Sequence, residues 1–227
     1  MTPEKERRLP RLDARLAAAE SFVRPGNVAA DIGCDHGKLT VQLLTSNRCP
    51  RVIATDLRRD PLSKARAACE AAGCAGRADF RLGSGLSVLA PGEAQDIIIA
   101  GMGAETIIEI LEAAPWVCDE SLRLILVPAT KHSILRRWLC RSGFAISEEK
   151  LCLAAGRYYT VICARYNGWV FEPDGEYCVL GLTYGQEGGA EYCARQLEKL
   201  RKYRRGLEEG PIARAVDQLI TKLEEVY

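Results

Sequence analysis

Short apolar runs alternate with helical segments across the first two thirds of the chain. The runs predict five buried strands, at residues 28–33, 51–56, 78–82, 96–100 and 122–127. Helices are predicted after the first, second, fourth and fifth of these strands. They lie at about 38–44, at about 61–72, from the run GMG at 101–103 to about residue 111, and at about 133–141. Short apolar strands alternating with helices are typical of parallel βαβ units in which both sheet faces are covered. The pattern therefore predicts a doubly wound α/β domain.

The order changes after the fifth strand and its helix. Residues 144–153 and 158–165 form two more predicted strands, and only residues 154–157 separate them. A connection this short cannot cross over to a parallel neighbour, so the pair is predicted to be an antiparallel hairpin. This ending differs from nicotinamide-binding domains, which usually continue with another βα unit.

Both ends of the chain are predicted to be helical. Residues 4–22 have apolar positions at spacings of three and four, which mark one helical face. From about residue 167 the composition shifts to glycine and charge, and helices follow at about 191–209 and 212–226 around a Gly210-Pro211 turn. The last helix has a heptad pattern, and helices joined by such a turn should pack antiparallel. We expect a first domain at 1–166 and a small helical coiled-coil domain at 167–227.

Composition narrows the class of protein. Of 227 residues, 48% are hydrophobic and 27% are charged, as in an ordinary globular protein. The net charge is +1, so the overall electrostatic field does not favour a nucleic-acid partner, although local basic patches can still bind one. No run resembles a membrane span or a secretory signal. The 10 cysteines form no CxxC pair and there are 2 histidines, so we expect no metal site and a cytoplasmic location.

An acidic, glycine-containing loop follows the first predicted strand. Asp31, Gly33 and Asp35 lie within the run DIGCDHG. A pyrophosphate site favours glycines and backbone N–H groups without acids, whereas two aspartates suit a ligand that carries ammonium and sulfonium charges. Gly33 would let the backbone approach such a ligand closely. The alternative is an ordinary strand-to-helix turn.

Further candidate residues follow the next predicted strands. Asp56 ends the second strand, where an acid can accept hydrogen bonds from both ribose hydroxyls, although a helix cap is the alternative. Two glycine turns, GSG at 83–85 and GMG at 101–103, follow the third and fourth strands. Open α/β sheets bind ligands at this carboxyl edge.

These motifs occur in one order with several others. The runs DIGCDHGKL, ATD, RLGSGL, IIIAGMGAETI, LILVPATKHSILRRWL and GRYYTVI resemble the bacterial tRNA (adenine-N1)-methyltransferase family that modifies position 22 in the D-arm region. The resemblance covers roughly residues 8–165, and the tail resembles that family's C-terminal coiled-coil domain. It implies a Rossmann-like class I methyltransferase sheet, S-adenosyl-L-methionine as cofactor and tRNA as partner, and leaves the oligomeric state open. The cofactor contacts that it implies are Asp31, Gly33, Cys34, Asp56, Leu57, Gly83, Ser84, Gly85, Ala100, Gly101 and Met102.

The chain also departs from the family pattern. The family usually reads DIGTDHAYLP, so Cys34, Lys38 and Thr40 replace a threonine, a tyrosine and a proline. Ser84 stands where Asp or Asn is usual, and Val127 where glutamine is usual. The Asn/Asp-Pro-Pro-aromatic loop of many amino-methyltransferases does not follow the fourth strand, which argues against methylation of an exocyclic amine.

Adenine N1 attacks a methyl group through a lone pair, so no proton has to leave first. Catalysis then needs alignment and an acceptor or anion near N1 and N6. Asp35 is the first candidate for this role and His36 the second. The alternatives are that Asp35 caps the following helix and that His36 is a packing residue.

Basic residues cluster in three segments, at about 7–15, 131–141 and 199–205, the last interleaved with Tyr203. They are candidates for phosphate contacts to an RNA whose target base is turned out of its stack. Each cluster taken alone is also typical of a solvated face. The RNA-binding candidates are Arg8, Arg11, Arg136, Arg137, Lys202 and Arg205.

Three hypotheses follow. The first is a tRNA adenine-N1 methyltransferase. The second is a small-molecule or protein methyltransferase, which would ignore RNA. The third is a non-catalytic RNA-binding module on the same fold, which would not bind S-adenosylmethionine.

Overall fold

A computed structural model describes residues 11–226 and contains one seven-stranded mixed sheet. The strands are β1 (Ala29–Ile32), β2 (Val52–Asp56), β3 (Ala78–Leu82), β4 (Asp96–Ala100), β5 (Arg123–Val127), β6 (Phe144–Ala154) and β7 (Arg157–Tyr166). The helices are α1 (Ala14–Phe22), α2 (Lys38–Thr45), α3 (Arg59–Ala71), α4 (Ala104–Glu112), α5 (His132–Arg141), α6 (Gly175–Leu180), α7 (Gly189–Arg205) and α8 (Pro211–Val226).

The sheet has the order β3-β2-β1-β4-β5-β7-β6. Strands β1 to β5 are parallel, β7 pairs antiparallel with β5, and β6 pairs antiparallel with β7. The chain order reverses between β1 and β4, so their carboxyl ends open a crevice of the kind in which such sheets bind ligands. The predicted parallel strands and the antiparallel hairpin are confirmed.

Apolar side chains cover both faces of the sheet. Strand β4 shows this directly, because Ile97 and Ile99 pack into one buried cluster and Ile98 into the cluster on the other face. All three side chains are fully buried. Strands buried on both faces are continuous apolar runs, and this is why the sequence pattern located them well.

The first helix is shorter than its pattern predicted. It begins at Ala14, and Asp13 caps it by accepting hydrogen bonds from the backbone N–H groups of Arg15 and Leu16 at 3.0 and 3.1 Å. Residues 11–13 are not helical. The cap sets the helix start because its carboxylate satisfies N–H groups that have no partner within the helix. The earlier part of the prediction, residues 4–10, lies outside the described residues.

The C-terminal segment holds three helices, of which the sequence predicted two. Helices α7 and α8 run antiparallel, since Arg201 pairs with Glu224 and Arg204 with Asp217. One apolar cluster is formed by Leu180 of the short α6 together with buried residues of α7 and α8, namely Tyr192, Cys193, Leu197 and Leu223. Leu151 and Tyr158 of the hairpin pack against this cluster. The tail core is therefore shared with the sheet. The division at residue 167 and a coiled coil stay predictions.

Candidate active site

A cleft of about 690 Å³ opens at the carboxyl ends of β1, β2, β3 and β4. Its size falls within the usual range for small-molecule sites. Asp35 and His36 line this cleft. Its lining also includes every residue that the sequence predicted to contact the cofactor, namely Asp31, Gly33, Cys34, Asp56, Leu57, Gly83, Ser84, Gly85, Ala100, Gly101 and Met102.

The turn after β1 brings the backbone close to the cleft. The N–H groups of Gly33 and Cys34 both donate to the Thr55 carbonyl, at 2.9 and 2.8 Å. Gly33 has φ +73°, and a Cβ added there would lie 2.3 Å from Cε of Met102. The left-handed backbone favours glycine at this position, and an added Cβ would displace the flexible end of Met102.

Asp31 lies at the floor of the cleft and is 4% exposed. Its Oδ2 accepts a hydrogen bond of 2.7 Å from the buried hydroxyl of Thr40. Burial raises the pKa of Asp31 to about 6, and the hydrogen bond from Thr40 opposes that rise. The carboxylate can therefore become ionised near neutral pH and would attract a cationic group of a ligand.

Asp56, at the end of β2, is held by backbone donors. The N–H of Asp35 donates to its Oδ2 at 3.2 Å and the N–H of Arg58 to its Oδ1 at 2.9 Å. Each carboxylate oxygen keeps a further lone pair, so Asp56 can also accept from two ligand hydroxyls. Arg58 is the N-cap residue of α3, and no side-chain cap bond is made there, so Asp56 does not cap the N–H groups of the helix itself. The neighbouring Leu57 is 70% exposed and gives the rim an apolar face.

Two glycine turns complete the wall. The N–H of Gly83 donates to the carbonyl of Asp56 at 3.0 Å. Gly85 has φ +53°, and a Cβ there would lie 2.8 Å from Ile110. Gly101 has φ +83° with no atom within 4 Å of an added Cβ, so it faces open space in the cleft.

Asp35 and His36 form a pair at the mouth of the cleft. Asp35 Oδ2 lies 2.8 Å from His36 Nδ1, and the two side chains are 65% and 50% exposed. The bond to His36 holds the pKa of Asp35 below its ordinary value. Helix α2 has Gly37 at its N-cap with no side-chain cap bond, so Asp35 does not cap it, and the exposure of His36 shows that it is not a core packing residue.

The departures from the family pattern lie around the same cleft. Cys34 is buried, and burial raises the pKa of its thiol far above the ordinary range, so the thiol stays neutral. Val127 is buried at the end of β5, and Lys38 also lines the cleft. Thr40 is the departure with a defined partner, because it donates to Asp31.

Several lining residues were not among the sequence candidates for the cleft. Arg15 reaches it from α1, while Thr106 and Glu109 line it from α4. A sequence signal for Thr106 and Glu109 was present, since two polar residues three positions apart share one face of a helix. Arg15 had no such signal, because its place depends on how α1 packs on the sheet.

The RNA-binding candidates differ in how far they are exposed to solvent. The prediction that Arg136 contacts RNA is wrong, because its side chain is 0% exposed and lies 3.0 Å from Glu149, which is equally buried. Arg136 also donates to the carbonyls of Cys178 and Val179, at 2.9 and 3.0 Å. It therefore holds α6 against α5 and cannot contact RNA.

The remaining candidates are on the surface or undescribed. Arg11, Arg137, Lys202 and Arg205 are exposed. Arg137 lies 3.4 Å from Glu172. Arg8 lies outside the described residues. Composition alone could not separate Arg136 from Arg137, because adjacent helix residues point about 100° apart and only packing shows which one is inside.

Within residues 11–226, no group of three or more potential metal-ligating side chains occurs. No helix in that part of the chain combines the length and apolar character needed to cross a membrane. All ten cysteines are free thiols, and Cys118, which precedes β5, is the exposed one.

Comparison with known proteins agrees with the geometry. The chain is 29% identical over 220 residues to the tRNA (adenine(22)-N(1))-methyltransferase of Bacillus subtilis strain 168, covering 95% of this chain and 92% of the relative. The crystal structure of the B. subtilis m1A22 tRNA methyltransferase superposes with a TM-score of 0.80 at 26% identity, over 95% and 98% of the two chains.

A Streptococcus pneumoniae structure in complex with S-adenosyl-L-methionine is also similar. Its TM-score is 0.81 at 26% identity, over 95% of this chain and 99% of the other. Residues 12–162 match the family described as a methyltransferase domain, and these residues include β1 to β6 and every side chain of the cleft. The chain belongs to this methyltransferase family.

Proposed function

We propose that this protein is an S-adenosylmethionine-dependent tRNA methyltransferase that methylates N1 of the adenine at position 22, in the D-arm region. The observation that carries this proposal is the match to the B. subtilis relative along 95% of the chain, since it includes the cleft and the tail helices together. Such an enzyme acts where tRNA is found, and a cytoplasmic location is part of the same proposal.

The residues of the cleft fit the cofactor. Asp31 supplies a buried carboxylate for the ammonium group. Asp56 has free lone pairs for both ribose hydroxyls, and Leu57 offers an exposed apolar face for the adenine ring. Gly33 and Gly101 leave room that a Cβ would reduce. The contacts named from the sequence at Cys34, Gly83, Ser84, Gly85, Ala100 and Met102 belong to the same proposal.

When bound, the cofactor supplies an electrophilic methyl group on a positively charged sulfur. The bond from sulfur to methyl breaks as the bond from adenine N1 to methyl forms, so the positive charge passes from sulfur to the base. The tasks of the protein are to align N1 with the methyl group and to stabilise the charge that develops on the ring.

Asp35 is placed for the second task. Its carboxylate is ionised at neutral pH because the bond to His36 holds its pKa low, and it lies at the mouth of the cleft. A carboxylate there can accept from the exocyclic N6 amine and offset the charge on the methylated ring. His36 orients Asp35 through its Nδ1. Arg11, Arg137, Lys202 and Arg205 remain proposed phosphate contacts, and Arg136 is not.

The proposal is tested by incubating the protein with methyl-labelled S-adenosylmethionine and an unmodified tRNA transcript that has adenine at position 22. We expect label in the RNA, and a reverse-transcription stop at position 22, since a methyl on N1 blocks base pairing. A transcript with guanine at that position is the control and should remain unlabelled. Label at another base, or transfer to protein or metabolite only, would contradict the proposal.

A further inference from the structure

A second cleft, of about 610 Å³, lies between the sheet and α7. We call it the tail cleft. Basic and aromatic side chains dominate its lining: Lys131, Arg157, Tyr158, Tyr159, Tyr192, Arg195, Lys199 and Tyr203, with His132 beside them.

The tail cleft adjoins the methyltransferase cleft. Ala129 of the tail cleft donates its N–H to the carbonyl of Met102, which lines the other cleft, at 2.8 Å. The guanidinium of Arg15, in the methyltransferase cleft, lies 4.7 Å from the ring centroid of Tyr159, in the tail cleft. A chain that crosses this boundary can therefore contact both.

Two cations of the tail cleft have no carboxylate partner within residues 11–226, namely Arg157 and Lys199. By contrast, Lys131 pairs with Glu105, and Arg195 pairs with Glu191 at 2.6 Å. Arg157 and Lys199 are both exposed. Unpaired cations in a concave site attract an anionic ligand.

His132 adds a neutral imidazole ring to the tail cleft. Arg136 is an obligate donor and gives a hydrogen bond to Thr160 Oγ1 at 3.3 Å. The same Thr160 hydroxyl oxygen lies 3.1 Å from His132 Nδ1. Burial lowers the pKa of His132 to about 3, so the ring is neutral.

Tyr203 contributes an aromatic surface that the other tyrosines lack. It is 56% exposed, whereas Arg195 covers the ring of Tyr158 at 5.0 Å and Tyr192 is buried. Tyr203 lies one helical turn beyond Lys199 on the same face of α7. An exposed ring beside free cations is the combination with which proteins hold unstacked nucleotides.

We infer that the tail cleft binds the RNA segment next to the target base, with phosphates on Arg157 and Lys199 and a base on Tyr203. This rests on the proposed function and deepens it, because it assigns where the rest of the substrate lies once the target base enters the methyltransferase cleft. The inference also distinguishes two lysines of α7: Lys199 lines the tail cleft, whereas Lys202 does not.

The test measures binding of an unmodified tRNA transcript to the full chain as a function of salt. For Lys199→Ala and for Arg157→Ala we expect weaker binding, and a slope of log Kd against log salt that falls by about one for each lost phosphate contact. For Tyr203→Ala, Kd should rise about tenfold, and Tyr203→Phe should restore it, because the stacking surface returns.

The control is Lys64→Ala, an exposed lysine of α3 that lines neither cleft. Its salt slope should equal that of the unaltered protein, and all variants should keep the same affinity for S-adenosylmethionine, which shows that they are folded. Salt slopes and Kd values that do not change in the three tail-cleft variants would overturn the inference. If the unaltered protein binds no tRNA, the proposed function itself fails instead.

Discussion

Thr40 donates its hydroxyl proton to a carboxylate that is almost fully shielded from solvent. A hydrogen bond to a charged group contributes about 1.5–3 kcal/mol, which in this case favours the ionised form of Asp31. The residue is one of the departures from the family pattern, and the structure gives it a role: it limits how far burial raises the pKa of the acid on the cleft floor.

The affinity for S-adenosylmethionine should follow the ionisation of Asp31. Its pKa is raised to about 6, so the carboxylate is mostly protonated at pH 5 and mostly ionised at pH 7. Because an ammonium group binds the ionised form, affinity should rise as pH rises and be about tenfold weaker at pH 5 than at pH 7. Titration calorimetry at several pH values measures this.

Thr40→Val removes the bond to Asp31 and should move the midpoint of that pH profile upward. Thr45→Val on the same helix is the matched control, since the Thr45 hydroxyl bonds to the carbonyl of Val41 at 2.8 Å and not to Asp31. A Thr40→Val profile identical to that of the control would show that Thr40 does not tune the acid.

At the scale of elements, the turns after the strands determine the cleft. Sequence patterns located the strands, because each is a short apolar run, and located the glycines and acids that follow them. They could not show that Asp31 is buried or that Asp56 receives two backbone donors, since both depend on how the turns fold against one another. The sequence pattern placed the start of α1 too early, because the apolar spacing extends to residues before Asp13, which caps the helix.

Gly33→Ala tests the turn after β1. The methyl group would require Met102 to move within the cleft, and the left-handed backbone adds about 1–2 kcal/mol of strain. Gly26→Ala is the control: Gly26 also has positive φ, at +85°, but no atom lies within 4 Å of the added Cβ. Thermal unfolding should show similar losses in both variants, whereas only Gly33→Ala should bind S-adenosylmethionine more weakly. Equal affinities would contradict the role given to Gly33.

At the scale of the whole molecule, a buried ion pair joins the tail to the sheet. Arg136 on α5 contacts Glu149 on β6 and two carbonyls of α6, and the N–H of Leu182 donates to Glu149 Oε2 at 2.6 Å. Sequence reasoning placed Arg136 among surface cations because its neighbours are basic. The error has a physical origin, since a charge goes inside only where partners from distant segments meet it.

Arg136→Leu should destabilise the protein by about 3–5 kcal/mol, because Glu149 would remain as a buried charge without its partner. Adding Glu149→Leu should recover part of the loss. The neighbouring Arg137 is 49% exposed, and Arg137→Leu should cost less than about 1 kcal/mol. Denaturant unfolding measures all three, and equal losses for Arg136→Leu and Arg137→Leu would exclude the proposed role of the pair.

The distribution of the thiols has a practical consequence. Eight of the ten cysteines are buried, Cys152 is half-buried, and only Cys118 is exposed. Cys118 precedes β5, at the edge of the sheet opposite to the cleft. A thiol-directed fluorophore would thus attach first at Cys118 of the natural sequence, remote from both clefts, and would report on RNA association without an engineered labelling site.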